Sequence, residues 1–393
     1  MSDKNNKTLK PGWRRVKFGD VVRLSKARSQ DPLADGIERY VGLEHLEPGD
    51  LRIRSWGSVA DGVTFTSVFQ PGQVLFGKRR AYQRKVAVAD FSGVCSGDIY
   101  VLETKDAQVL LPELLPFICQ TDAFFDHAVG TSAGSLSPRT NWTSLADFEF
   151  SLPSVEDQRA ILELLKAAEA CAIAYEEAKH SHEQILASFI QESFSSFDEQ
   201  HEHRPCKDLM DKITVGIVVK PADLYVAAGK GVRALRSLNV LPGRFVLDEV
   251  VEISVEGHAS HQKSALSAGD IVIVRTGRPG DAAVVTPELA DTNCIDLILA
   301  KPGPSISADY VVAFLNSQFG RRIFSSGTTG TAQQHFNVGE FSKLKLPVPP
   351  IEVQREFVSR LSQLRTPGQA LFERLREARR TKAMVLSSSI CGA

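Results

Sequence analysis

Two stretches of the chain carry apolar residues at heptad spacing over long runs. The first places Ile161, Leu164, Ala168, Cys171, Tyr175, Ala178, His182, Ile185 and Phe189 at alternating steps of three and four. The second places Phe357, Leu361, Leu364, Gly368, Leu371, Leu375, Ala378, Lys382 and Val385 at alternating steps of four and three. A stripe this narrow predicts a coiled-coil seam, not the broad apolar face of a surface helix. Both runs open with the same phrase: Leu152-Pro153-Ser154-Val155-Glu156-Asp157-Gln158-Arg159 and Val348-Pro349-Pro350-Ile351-Glu352-Val353-Gln354-Arg355. Proline stands where a helix can begin and acids follow at its positive end. Gln354 follows Gln158 by 196 residues (354 − 158), half of the 393-residue chain. Thr366-Pro367-Gly368 lies inside the second run, and a proline there predicts a kink or a break.

Charge adds a direction to this pattern. Residues 156–192 hold eight acids against three bases, and residues 352–382 hold eight bases against four acids. An acidic and a basic helix in one chain are complementary partners. The bland reading makes each charged face a solvated one on its own domain.

Between the helices the apolar pattern is that of a mixed α/β unit occurring twice. In residues 12–153, strands are expected at Arg39–Leu43, Gln73–Phe76, Lys85–Ala89 and Ile99–Leu102, a helix at Pro112–Phe125, and a small-residue loop at Gly130–Ser135. In residues 205–349, Arg233–Asn239, Ala268–Ile273, Asp296–Leu299, Tyr310–Phe324 and Gly327–Ala332 follow the same order. Phe336-Asn337-Val338 answers Thr140-Asn141-Trp142. The expected organisation is a loose tail (1–11), a first α/β domain (12–153), a central helix (154–198), a linker (199–204), a second α/β domain (205–349) and a C-terminal helix (350–389). His201 and His203 in the linker lack a third ligand nearby and read as solvated.

Composition narrows the function classes. With 43% apolar and 24% charged residues the chain is globular. Six scattered cysteines suit a reducing cytoplasm better than a disulfide framework or zinc site. No apolar run is long enough to span a membrane. The net charge is −1, so any nucleic-acid site must be a local patch. Two loops supply one. Lys78, Arg79, Arg80, Tyr82, Gln83, Arg84 and Lys85 follow the Gln73–Phe76 strand, and Arg275, Thr276 and Arg278 follow its counterpart. Such cations neutralise phosphates, and arginine also forks onto guanine. Thr131, Ser132 and Arg139 in the first half, and Thr328, Thr329 and Gln333 in the second, are further candidate DNA contacts. Their loops offer amides and hydroxyls to phosphate, or else are simply turns before Asn141 and Asn337.

Catalytic signatures are sparse. The chain has no Gly-x-x-x-x-Gly-Lys-Ser/Thr phosphate loop. Asp90 with Glu103 and Lys105 has the outline of a metal-dependent nuclease site, but Lys301 stands at the counterpart of Glu103. His258 and His261 read as surface loop.

With its half-length repeat, its two Pro-x-x-Glu-x-Gln-type phrases and its long helices, the chain resembles the specificity subunit of a type I restriction-modification system. Asp157-Gln158 and Val353-Gln354 stand where that family has Glu-Gln. The resemblance implies an α/β (α+β) fold with two pseudo-symmetric target-recognition domains separated by an antiparallel pair of long helices, a coiled coil. It implies that each domain reads half of a split target on double-stranded DNA, and that two methyltransferase subunits dock on the helices. Restriction subunits join that core, and S-adenosylmethionine, Mg2+ and ATP belong to the partner subunits, with none bound by this chain. The protein would be cytoplasmic and not itself an enzyme. A helix of about 42 residues would span roughly 60 Å, one to two turns of DNA. The rival readings are a specificity-like subunit of another modification or defence complex, a stand-alone nuclease, and a structural assembly protein.

Overall fold

The computed structural model describes residues 9–325 and 336–389. The chain divides into two units, Met1–Glu177 with Phe372–Ala393, and Ala178–Leu371. In the first, β1 (Val22–Leu24), β2 (Val74–Gly77), β3 (Val86–Val88) and β4 (Ile99–Thr104) form an antiparallel sheet in the order β1-β4-β2-β3. All four residues of β2 are buried, because both of its faces are covered. Val74 and Phe76 point into an aromatic core with Phe18 and Phe124, whereas Leu75 packs with Val41 and Phe69 of a second sheet. That second sheet contains a parallel pair, Arg39–Val41 with Gly93–Cys95.

The second unit repeats the plan. β5 (Met210–Val215), β6 (Ile271–Val274), β7 (Ala282–Val284) and β8 (Leu297–Pro302) run in the order β5-β8-β6-β7. Ile271 and Ile273 of β6 face one core, Val272 and Val274 the other. A parallel pair recurs between Val232–Leu235 and Asn293–Cys294.

The helix expected over 112–125 is interrupted. α1 (Leu115–Cys119) ends and α2 (Asp122–Gly130) begins at Thr121, whose hydroxyl donates to Ile118 O (2.9 Å) and accepts from Phe124 N (3.2 Å). Periodicity missed the break because a capping hydroxyl competes with the helix ladder without disturbing the apolar spacing. α3 (Trp142–Ala146) follows, its N-terminus capped by Asn141, and then α4 (Val155–Gln200). The second unit breaks in the same place: α5 (Ala308–Asn316) gives way to α6 (Gln318–Ser325) at Ser317, and α7 (Val338–Lys343) is capped by Asn337. The last helix is α8 (Ile351–Ser389).

The repeated phrase has a structural reason. Gln158 and Gln354 are fully buried. Gln158 accepts from Leu111 N (2.9 Å) and donates to Val109 O (2.9 Å) and Pro153 O (3.0 Å). Gln354 accepts from Ser307 N (2.9 Å) and donates to Ser305 O (3.1 Å) and Pro349 O (2.8 Å). One amide thus ties the start of each long helix to the segment leading into α1 or α5. Only a side chain with both donor and acceptor satisfies all three backbone groups.

α4 and α8 pair antiparallel within each unit. In the first, Glu169 meets Lys382 at 2.5 Å and Glu176 meets Arg379, so the acidic and basic faces join there. In the second the contact is aromatic: Phe357 stacks on Phe189 (5.6 Å) and packs against Phe194 (5.2 Å), itself against Tyr310. The register expected for α8 holds, since Phe357, Leu361, Leu364, Gly368, Leu371, Leu375, Ala378, Lys382 and Val385 are all buried or half-buried. For α4 only alternate positions hold. Leu164 and Ile185 are 60% and 57% exposed, and Cys171 and Ala178 are exposed. Leu165, Ala172, Lys179 and Leu186 lie inward instead. Apolar neighbours such as Leu164-Leu165 and Ile185-Leu186 let the seam be read one residue early.

Of the kink or break expected at Pro367, the break does not occur: α8 runs through it. The proline lies on the exposed side, and the cost of about 3 kcal/mol is offset by packing of Leu361 and Leu364 before it and Leu371 after it. Gly368 beside it faces α4: a Cβ there would stand 2.6 Å from His182 Nε2, so the imidazole would have to shift.

Candidate nucleic-acid interface

Both basic loops are hairpin connections at the same place in the fold, between β2 and β3 and between β6 and β7. In the first, Arg80 (φ 54°) and Arg84 (φ 57°) adopt the left-handed conformation that favours glycine, and a short 3-10 turn over Ala81–Gln83 lies between them. Two backbone bonds hold the loop down: Arg80 N donates to Pro138 O (2.7 Å), and Thr140 N donates to Lys78 O (3.0 Å). In the second loop Gly277 (φ 86°) and Gly280 (φ 88°) make the turns, and Phe336 N donates to Arg275 O (3.0 Å). Thr140 and Phe336 each directly precede a capping asparagine, so the same bond pins both loops to the same helix start.

The first loop's cations fall into two groups. Arg79 reaches Asp98 (3.2 Å) and Ser137 Oγ (3.0 Å), Arg80 also reaches Ser137 Oγ (3.3 Å), and Arg139 meets Asp98 through Nε (2.8 Å). The Nε atoms of Arg79 and Arg80 are buried without a hydrogen-bond partner. Burial pushes the Asp98 carboxyl up, but the hydrogen bonds from Arg139 and Arg79 outweigh it and hold it below its usual value. Lys78 lies over the Tyr100 ring at 4.5 Å, and burial, helped by Arg139, draws its ammonium below the usual lysine value. The second group points elsewhere. Arg84 bonds Asp122 (2.5 Å) and lies over the Phe125 ring, and Lys85 caps Leu43 O (2.7 Å). Tyr82 is 56% exposed, whereas Gln83 is half-buried.

Thr131 and Ser132 donate their hydroxyl protons to His127 O and Ala128 O, both at 2.7 Å. Those protons therefore serve the end of α2, where free carbonyls need donors. In the second loop Arg275 pairs with Asp296, Arg278 donates to Val240 O (3.0 Å), and Thr276 is half-buried. Thr328, Thr329 and Gln333 lie outside the described residues.

Sequence reasoning did not single out Asp98 and Asp296. The available signal was an acid immediately before the last strand of the sheet in both halves, beside the basic loop. The nuclease-like residues serve other ends: Glu103 pairs with Arg23 (2.7 Å) and accepts from Gln73, and Lys105 donates to Gly19 O. His258 contacts Asn293, and His261 contacts Ser260 and Gly257 O. Among the described residues no helix is long and apolar enough to cross a membrane.

A family model described as the type I restriction modification DNA specificity domain matches residues 12–184 and 252–377. The type I restriction enzyme EcoDI specificity subunit of Escherichia coli is 29% identical over a 160-residue alignment that covers 38% of this chain. The match spans about a third (33%) of that relative's length. Two solved structures share the fold along nearly the whole chain. A chain from a study of complex assembly and conformational transition in the type I R-M system has TM-score 0.63 at 18% identity, over 98% of each chain. The S subunit of a type I restriction-modification system from M. genitalium has TM-score 0.59 at 13% identity, over 99% of this chain and 98% of its own.

Proposed function

Because the chain belongs to the type I restriction-modification DNA specificity family, we propose that it is the DNA-reading subunit of a methyltransferase and endonuclease complex, with one half of a bipartite target read by each α/β unit. The observation that carries this reading is the pair of basic loops. They leave equivalent strands and are pinned by the same 3.0 Å backbone bond, yet their side chains differ. A duplicated scaffold with diverged loops suits two unlike half-sites. Arg79, Arg80 and Arg139 would serve the first half-site and Arg275 and Arg278 the second. Lysines make phosphate contacts, and arginines add base contacts in the major groove.

The paired α4 and α8 would dock two methyltransferase subunits, which bring S-adenosylmethionine and methylate adenine. Restriction subunits would add ATP- and Mg2+-dependent cleavage. This chain supplies recognition, not a catalytic group. The test is to map methylated adenines in DNA from cells carrying this chain with its methyltransferase. Two short, different specified blocks separated by a fixed unspecified spacer are expected. One uninterrupted motif, or methylation that does not depend on this chain, would contradict the reading.

A further inference from the structure

We propose that Asp98 and Asp296 are positioning residues, each fixing an arginine of its unit's basic loop in one orientation for reading bases. This rests on the reading of the loops as DNA contacts given above. Asp98 directly precedes β4 and Asp296 directly precedes β8, the equivalent strands. Asp98 holds Arg79 and Arg139, and Asp296 holds Arg275. Asp296 keeps its place at φ 51°, a conformation that side-chain-bearing residues rarely adopt. The Asp98 carboxylate is only 19% exposed and stays ionised through its guanidinium partners.

A carboxylate inside a phosphate-binding patch weakens DNA affinity by repulsion, so its presence at the same point in both halves calls for another role. Fixing a guanidinium supplies one. A free arginine falls on whichever phosphate is near and adds affinity without sequence preference. An arginine already held at one edge carries less of the ordering cost and offers its remaining donors in one direction. Arg79 fits this description. Its Nη1 is held by Asp98 and its Nη2 by Ser137, each nitrogen keeps a second N–H, and the side chain is 37% exposed.

The experiment compares the full chain, assembled with its methyltransferase, as wild type and as Asp98→Asn, Asp98→Glu, Asp296→Asn and Arg79→Gln. Binding is measured on duplexes carrying the mapped target and on duplexes with either half-site substituted. Asp98→Asn is expected to lower preference at the first half-site by about tenfold and to leave the second unchanged. It should also bind unrelated DNA more tightly, with a salt dependence steeper by about one ion. Asp98→Glu, which keeps the charge, should recover part of the preference, and Asp296→Asn should mirror the effect at the second half-site. Unchanged preference at the other half-site shows in the same molecule that the chain is folded. Should Asp98→Asn not assemble, Asp296→Asn carries the same test in the other unit. If Arg79→Gln abolishes first half-site preference while Asp98→Asn retains it, the positioning role is overturned and the reading of the loop stands. If Arg79→Gln itself leaves that preference intact, the reading falls, and this inference with it.

Discussion

The two basic loops share a scaffold and divide their charges differently. In the first unit, Arg84 near the end of the loop reaches Asp122 in the first turn of α2, with the two side chains 41% and 86% exposed. In the second, the acid is on the loop and the base is on the helix: Asp281 receives Arg321 of α6 as well as Arg278. Its carboxylate is 3% exposed. Tying a loop to its neighbouring helix requires opposite charges but not a particular assignment of sign. The exchange leaves the first loop with five cations and no acid, whereas the second carries an internal acid. Two heads built on one plan therefore present different potentials.

The largest effect separating the units should come from these ties. Asp281→Ala removes a buried carboxylate from two guanidinium groups and is expected to cost about 3 kcal/mol. Hydrogen exchange should show it in β6, β7 and α6. Gln158→Ala and Gln354→Ala should each cost about 2 kcal/mol and by nearly the same amount, because each strips three backbone groups of a buried partner. Exchange at the Leu111 and Ser307 amides reports the two directly. Unequal costs would show that the two clamps differ despite matching geometry. Arg79→Gln should lose about 1–2 kcal/mol of discrimination at the first half-site alone, and Arg278→Gln at the second alone, read by binding to singly substituted targets. Asp122→Ala, the exposed counterpart of the Asp281 change, should cost below about 0.5 kcal/mol.

The smallest effect is one of pH. The Asp98 carboxyl is held below its unfolded value, so its contribution is complete above about pH 4 and is lost as pH falls through its folded-state pKa. Asp270 behaves in the opposite sense. Burial holds its carboxyl above the usual value, so the folded chain binds its proton more readily, and a penalty present at neutral pH is relieved on acidification. Asp98→Asn should flatten the acid limb of stability in the first unit. Asp270→Asn should instead raise stability near neutral pH in the second.

The sequence carried the plan further than the details. The matched strands β2 and β6, and β4 and β8, the basic loops after β2 and β6, and the full register of α8 were legible, because each rests on apolar spacing or on repetition. The seam of α4 was half legible. Where Leu164-Leu165 or Ile185-Leu186 offers two apolar candidates, spacing alone does not choose, and packing against α8 does. The breaks at Thr121 and Ser317 were hidden because capping uses a hydroxyl that apolar patterns ignore. Asp98 and Asp296 were hidden for a related reason. An acid before a strand reads as an ordinary turn residue until the fold brings the loop arginines onto it.

The central claim is that each α/β unit carries its own half of the specificity. It is tested most directly by replacing residues 205–349 with a second copy of 12–153 and mapping methylated adenines in cells that also supply the methyltransferase. The account predicts methylation at sites whose two blocks both have the bases of the first half-site. Continued methylation at the original asymmetric sites would contradict it.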